Sequence, residues 1–318
     1  MSGFRRVLRG ETEIGFVRNS NRWFRASAIL VGLSMLGLIV FNLNFGIDFR
    51  GGVSAQAPNP GGATVAEVRD AIGEIGISQS TIQLIDDGAG VRVQTGFLDA
   101  ETESQLIDTI ARVAGTTSPE VSVDAVGPTF GNLVARQALI ALAVFLVVVA
   151  LYMTVRLEMK MAAVGLVALM HDLAITVGVY AISGLEVSPA TVVAILTILG
   201  YSLYDTVVVF DKVEEFEKAM DKSTYGVIVE RAMNAVLARS LATSLTSLVP
   251  VGSILVVGSF ILGAPTLREF ALALFIGMAA GTYSSVFLAG PLLARWKSGE
   301  EEWQERERRF GKRSAVGS

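Results

Sequence analysis

Six apolar runs, each long enough to cross about 30 Å of hydrocarbon as a helix, leave this 318-residue chain little choice of fold. They are Ala26–Leu43, Gln137–Val155, Met161–Leu185, Val187–Phe210, Ser240–Leu267 and Phe270–Ala294. Lipid offers no hydrogen bonds to exposed backbone, so such runs cross as helices whose N–H and C=O groups are satisfied within the segment. The expected fold is an α-helical integral membrane protein with six transmembrane helices near residues 26–43, 137–155, 161–185, 187–210, 238–263 and 268–294. A mean hydropathy of +0.54 agrees with it.

Orientation follows from the basic residues, which accumulate in short cytoplasmic segments. With the N-terminus inside, the inner segments hold 20 of the 26 Lys and Arg residues. Both termini, residues 1–25 and 295–318, are therefore expected in the cytoplasm, and the membrane is expected to be the cytoplasmic (inner) membrane. The first run reaches 18 residues without a small-residue cleavage site before Gly46, so it reads as a retained span and not a signal peptide. A net charge of -4 carries no nucleic-acid signal. No G-x-x-x-x-G-K-[ST] loop occurs, so direct ATP use is not expected. The absence of Cys excludes disulfides, thiolate metal sites and a Cys nucleophile. No cofactor, metal site or enzymatic activity is expected.

Residues 44–136, about 90 in all, are long enough for a core of their own. Val53–Ala57 is extended, and Thr64 caps a helix with Val65, Val68, Ile72 and Ile75 on one face. Thr81–Asp86 and Val91–Gln94 form a hairpin about Asp87–Gly90. Asp99 opens a second helix with Leu106, Ile107, Ile110 and Val113 on its apolar face, and Glu120–Val126 is the last strand. This βαββαβ order predicts a ferredoxin-like α+β domain, extracytoplasmic, between helices 1 and 2. Its plainest role is a scaffold without an active site. Glu186 and the pair Arg268–Glu269 read as solvated charges in short outer turns. The tail's Glu300–Arg308 run reads as a solvated helix or disorder, with docking to a partner the alternative.

Ionisable side chains inside the apolar runs carry the functional signal, because a charge at the bilayer centre costs about 2.5–3.5 kcal/mol on insertion scales and usually faces the bundle interior. Asp205 sits near the inner end of span four, and Arg239 is placed in the first turn or two of span five. A carboxyl can change protonation when its counter-ion approaches or leaves, whereas a guanidinium cannot. Asp205 is the expected proton-carrying group and Arg239 its conditional counter-ion; a fixed ion pair orienting two helices is the alternative. His171 and Asp172 lie mid-span on adjacent helix faces, where they are not expected to share a neighbour. Asp172 reads as a second relay group or a structural hydrogen bond, and His171 as a relay group or a satisfied interior histidine. Gly277 and Gly281 form a G-x-x-x-G beside Thr282, Ser284 and Ser285, suited to close helix packing or to a polar lining.

These residues, taken in order, resemble the SecF subunits of the SecD/SecF protein-export family, in the resistance-nodulation-division superfamily. Gly46-Ile47-Asp48-Phe49-Arg50-Gly51-Gly52 follows span one as the family's G-I-D-F-x-G-G does. His171-Asp172 lies in span three, Gly200-Tyr201-Ser202-Leu203-Tyr204-Asp205-Thr206 in span four, Arg239-Ser240-Leu241-Ala242-Thr243-Ser244 in span five, and Gly281-Thr282-Tyr283-Ser284-Ser285 in span six. Lys212 stands where Arg often follows the fourth-span signature. The resemblance implies pairing with SecD beside the SecYEG channel, with YajC a further candidate partner, contact with membrane lipid, and use of the proton motive force to draw exported unfolded polypeptide outward. It also implies that the Asp and Arg matching Asp205 and Arg239 are linked to proton transport. The competing readings are a proton-coupled exporter of small molecules or lipids from the same superfamily, an intramembrane aspartyl protease, and an assembly subunit that moves no ions.

Overall fold

The computed structural model describes residues 14–260 and 265–314. The N-terminal arginines Arg5, Arg6 and Arg9, the end of the expected fifth span and residues 315–318 lie outside the described residues. Among those described, six helices are long and apolar enough to cross a membrane.

Helix α1 (Ser20–Phe41) leads to a short strand β1 (Asn44–Phe45) and a single helical turn α2 (Ile47–Arg50). Strand β2 (Gly52–Pro58), helix α3 (Val65–Glu74), strands β3 (Ser80–Ile85) and β4 (Gly90–Thr95), helix α4 (Ala100–Ala114) and strand β5 (Ser122–Val126) follow. Strand neighbours run β3-β4-β2-β5, and every pair is antiparallel. Because side chains alternate across a strand, Val53, Ala55 and Ala57 of β2 share a face with Val91 and Val93 of β4. That face is covered by Val68 and Ile72 of α3 and Leu106 and Ile110 of α4, forming one closed core. Gln56, Arg92 and Gln94 occupy the opposite face.

Both domain helices start on the caps expected of them. Thr64 accepts from the Glu67 amide while the Glu67 carboxylate accepts from the Thr64 amide, and Asp99 accepts from the Thr102 amide at 2.8 Å. Amide hydrogen bonds at these helix starts lower the pKa of Glu67 and Asp99, and Glu120 is lowered by Thr116 and Thr117. A lowered folded-state pKa gives stability that is present above the ordinary carboxylate range and lost as pH falls through the folded value. Asp48 works in the opposite sense, since burial and the neighbouring Asp124 raise its pKa. Protection of the amides at the starts of α3 and α4, measured against intrinsic exchange at the same pH, is therefore expected to fall below about pH 4. Unchanged protection there down to pH 2.5 would show that the caps contribute nothing.

The segment Gly46–Gly52 is a compact elbow between α1 and the sheet. Gly51 and Gly52 adopt φ +74° and +133°, and a side chain on Gly51 would meet the Pro128 backbone at 2.7 Å. A Cβ on Gly52 would run into the Thr95 carbonyl oxygen. Arg50 turns back to donate to the Leu43 carbonyl at 3.3 Å and lies over the Phe45 ring.

Helix α5 (Pro128–Arg156) leaves the sheet directly after β5 and returns along the bundle with most of its surface exposed. Helix α6 (Met159–Ser183) is central; strand β6 (Glu186–Val187) pairs with β1 in parallel, and helix α7 (Pro189–Ala219) follows. The last long helices are α8 (Tyr225–Phe260) and α9 (Pro265–Tyr283). A π-helical turn, Ser284–Ala289, carries α9 into α10 (Gly290–Lys297). In lipid, helix contact depends on close backbone approach more than on hydrophobic drive. Gly178 on α6 receives Ser34 of α1, Gly37 on α1 receives Ile182 of α6, and Gly277 on α9 receives Ile198 of α7.

Three expectations need correction. Helix α8 starts at Tyr225, so Arg239 lies about four turns in and not at the start. Ile228, Val229, Ala232, Met233 and Val236 on this early part are buried in the main bundle core. Two of its polar residues are covered by the N-terminal segment: the Asn234 amide accepts from Ile14 N and donates to Ile14 O, and Glu230 accepts from Val17 N. The tail is also docked. Helix α11 (Glu301–Ser314) buries Trp303 against Tyr225, with ring centroids 4.7 Å apart. Nearby, buried Lys297 reaches Glu158 at 2.6 Å and Glu217 at 3.4 Å, tying α10 to the ends of two other helices. Finally, Glu186 and Glu269 are not solvated turn charges: their side chains are only 10% and 14% exposed.

Candidate functional site

Helices α6, α7, α8 and the α9–π segment meet in a hydroxyl-rich seam halfway along the bundle. Asp172, the fourteenth residue of α6, is fully buried. Its Oδ2 accepts from Ser202 Oγ of α7 at 2.5 Å and from Ser284 Oγ at 2.8 Å, and its Oδ1 lies 3.1 Å from His171 Nδ1. The two residues face different neighbours, Ser202 and Ser284 for Asp172 and Tyr283 for His171, yet the imidazole folds back onto the adjoining carboxylate so that they also touch each other. The other His171 nitrogen, Nε2, is buried with no hydrogen-bond partner among the described residues, and the ring stacks on Tyr283 at 6.0 Å. Tyr283 Oη in turn donates to the Trp23 carbonyl of α1 at 3.1 Å.

Asp205 lies one turn beyond Ser202 on α7, also buried. Its Oδ1 accepts from Ser240 Oγ of α8 at 2.6 Å, and its Oδ2 is buried without a partner among the described residues. Hydroxyls extend the seam: Thr282 donates to Ser244 at 2.9 Å, Ser244 to the Ser240 carbonyl at 2.8 Å, and Thr206 and Ser285 are 3.2 Å apart. Gly281 makes room for this, since a side chain there would meet Ser202 Cβ at 2.9 Å.

Arg239 is not brought to Asp205. Its guanidinium donates to Tyr204 Oη at 3.2 Å on the exposed side of α7 and α8, one residue away from the buried Asp205–Ser240 contact. Gly200 is also outside the seam, on an exposed face with no atom near its missing Cβ. Gly277 packs, whereas Ser284 and Ser285 line the seam. Of the elbow residues Gly46, Asp48, Arg50, Gly51 and Gly52, none reaches it. Ser202, Ser240, Ser244 and Thr206 were not singled out as partners in the sequence; the signal for them was a hydroxyl within one helical turn of a buried acid, or on the helix facing it.

A family model described as protein export membrane protein SecD/SecF, C-terminal, matches residues 107–299. The chain belongs to the SecD/SecF family. Among its relatives, the protein translocase subunit SecF of Streptomyces coelicolor is 37% identical over 98% of this chain and 84% of the relative. The SecF of Vibrio alginolyticus is 33% identical over 90% of each chain. In three dimensions, this SecD/SecF-family chain resembles the translocon-associated membrane protein SecDF of Thermus thermophilus, with a TM-score of 0.83 and 30% identity over 91% of its length. A SecDF structure in a super-membrane-facing form gives 0.67 at 31% identity over 93%. The chain spans only about two fifths of those SecDF chains, 39% and 40%. The resemblance stated from the motifs is thereby borne out, and the small-molecule exporter reading gains no support.

Proposed function

We propose that this chain is a SecF-like subunit that works with SecD in the accessory complex of the Sec protein translocase. It uses the proton motive force to promote late steps of protein export across the cytoplasmic membrane. Family membership supports the assignment, and one observation carries the mechanism: a buried Asp205 whose second carboxylate oxygen has no hydrogen-bond partner among the described residues. An unpaired oxygen in hydrocarbon is costly as a charge, and it is a place to hold a proton. Asp205 takes up and releases the proton, Ser240 orients it, and Asp172 with His171 forms a second station reached through the hydroxyl seam. Arg239 acts from outside this seam, approaching Asp205 only in another state of the complex. Each charge crossing about 100 mV supplies roughly 2.3 kcal/mol, enough to bias a two-state domain motion.

In this reading both termini are cytoplasmic, and the four-stranded domain is a ferredoxin-like extracytoplasmic module. It stands beside the SecYEG channel, with YajC a further neighbour and exported unfolded polypeptide as its client. The sheet order β3-β4-β2-β5 with two helices on one face supports the fold part of this proposal. Depletion of the chain in its host is expected to slow export of a secreted reporter severalfold, with re-expression restoring the rate and an uncoupler removing the benefit. Equal export rates with and without the chain would overturn the proposal.

A further inference from the structure

On the domain end of the bundle, one cation holds two acids that the sequence placed in solvent. Arg92 Nη1, from the open face of β4, lies 3.1 Å from Glu186 Oε2 and 3.5 Å from Glu269 Oε1. Arg92 is itself 11% exposed at the side chain. The four-stranded sheet contributes two further groups: Gln94 donates to Glu186 Oε2 at 2.8 Å, and Gln56 accepts from Arg92 Nη2 at 3.5 Å. From the bundle come Glu186 on β6, Glu269 on α9 and, from α6, Tyr180, whose hydroxyl donates to the Glu269 carbonyl at 2.8 Å. Arg268, next in sequence to Glu269, is exposed. Gly46 of the elbow completes the enclosure, because a Cβ there would collide with the Glu186 carboxylate.

The charge count does not close. Within the enclosure, two carboxylates and one guanidinium leave one negative charge in excess where solvent barely reaches, and Glu186 has the better contacts: Arg92 and Gln94 serve it, while Glu269 has the longer contact to Arg92 and, from outside, the exposed and solvent-screened Arg268. We infer that Arg92, Glu186 and Glu269 form a proton-operated clasp, separate from the Asp172 and Asp205 seam, in which a proton taken up at Glu269 closes the four-stranded domain onto the bundle. With Glu269 protonated the cluster is neutral and the domain stays docked. When Glu269 ionises, two acids compete for one cation and the excess charge favours separation, which returns both to water. The docked state binds the proton more tightly, so docking is strongest at low pH and weakens as pH rises. This clasp requires no proton flux through Asp205.

The native chain has no cysteine, so spin labels can be placed on Gln79→Cys of the sheet domain and Ser183→Cys of the bundle, both exposed positions. Distances would be measured in the full chain in lipid nanodiscs. A single narrow distance is expected at pH 5.5, with a second, longer population growing toward pH 8.5. Glu269→Gln is expected to stay narrow at both pH values. Arg92→Ala is expected to be broad at pH 8.5 and to narrow on acidification. Asp205→Asn is expected to keep the native pH midpoint, which separates failure of the clasp from failure of the relay. A native distribution independent of pH, or a Glu269→Gln variant that still opens at pH 8.5, would overturn the inference.

Discussion

Asp205→Asn is expected to lose the gradient-driven part of export completely while remaining folded in the membrane at native abundance. The change keeps the size and shape of the side chain, and the amide oxygen can still accept the Ser240 hydroxyl now held at 2.6 Å. What it removes is the ability to gain and lose a proton at the oxygen that has no partner. Deleting an acid by an isostere separates proton handling from packing, whereas Asp205→Ala would also leave Ser240 without its acceptor. The measurement is reporter export with and without uncoupler, in cells whose only copy carries the variant. The variant rate is expected to equal the uncoupled native rate, and uncoupler is expected to slow it no further. A variant that still slows severalfold on uncoupling would show that Asp205 is structural.

Gly52→Val is the second change with a large expected effect, here on folding and not on transport. At φ +133° an L side chain is strained, typically by about 1–3 kcal/mol, and the new Cβ would also strike the Thr95 carbonyl. Neither neighbour can retreat. Thr95 is paired with Val53 in the β2–β4 ladder, and Gly52 itself is paired with Val126 of β5. The combined penalty is a large share of the roughly 5–15 kcal/mol that holds an ordinary domain together. The expected result is loss of the folded sheet domain, read as sensitivity to protease at residues 52–126 and a severalfold drop in abundance. Gly73→Ala, where nothing lies near the added methyl in α3, is the control and is expected to be neutral or slightly stabilising. Protease resistance of Gly52→Val equal to that control would refute the strain argument.

Much of this architecture could be read from residue order alone because lipid solvent is a simple judge. Long apolar runs become helices, and Thr64 and Asp99 announce helix starts by chemistry that acts within three residues. The onset of α8 was hidden for a different reason: Glu230, Arg231 and Asn234 look like loop residues until a segment over two hundred positions away is seen to cover two of them. Glu186 and Glu269 misled in the same way, since their cation arrives from β4, far off in the chain. Arg239 and Asp205 stand out in the sequence as charges within apolar runs, but which side of a helix each faces depends on how α7 and α8 are rotated against each other. The π-helical turn had no reading at all. Two consecutive serines do not announce that the helix will widen so that one meets Asp172 and the other Thr206.

Helix α5 enters the bundle straight from the last strand of the sheet domain and is held at both ends: Gly131 lies against the Phe49–Gly51 backbone with Val134, Ala135 and Ala138 packed beside it, and at the far end Met153 is buried into the space left by Gly165. Its 29 residues make a rod about 43 Å long at 1.5 Å per residue. A rod pivoting at one end converts angle into stroke: a tilt of about 10° would sweep the sheet end through roughly 7 Å. A tilt of α5 about Met153 would therefore carry the elbow and the sheet domain with it as one piece, by the length of about two residues of extended polypeptide.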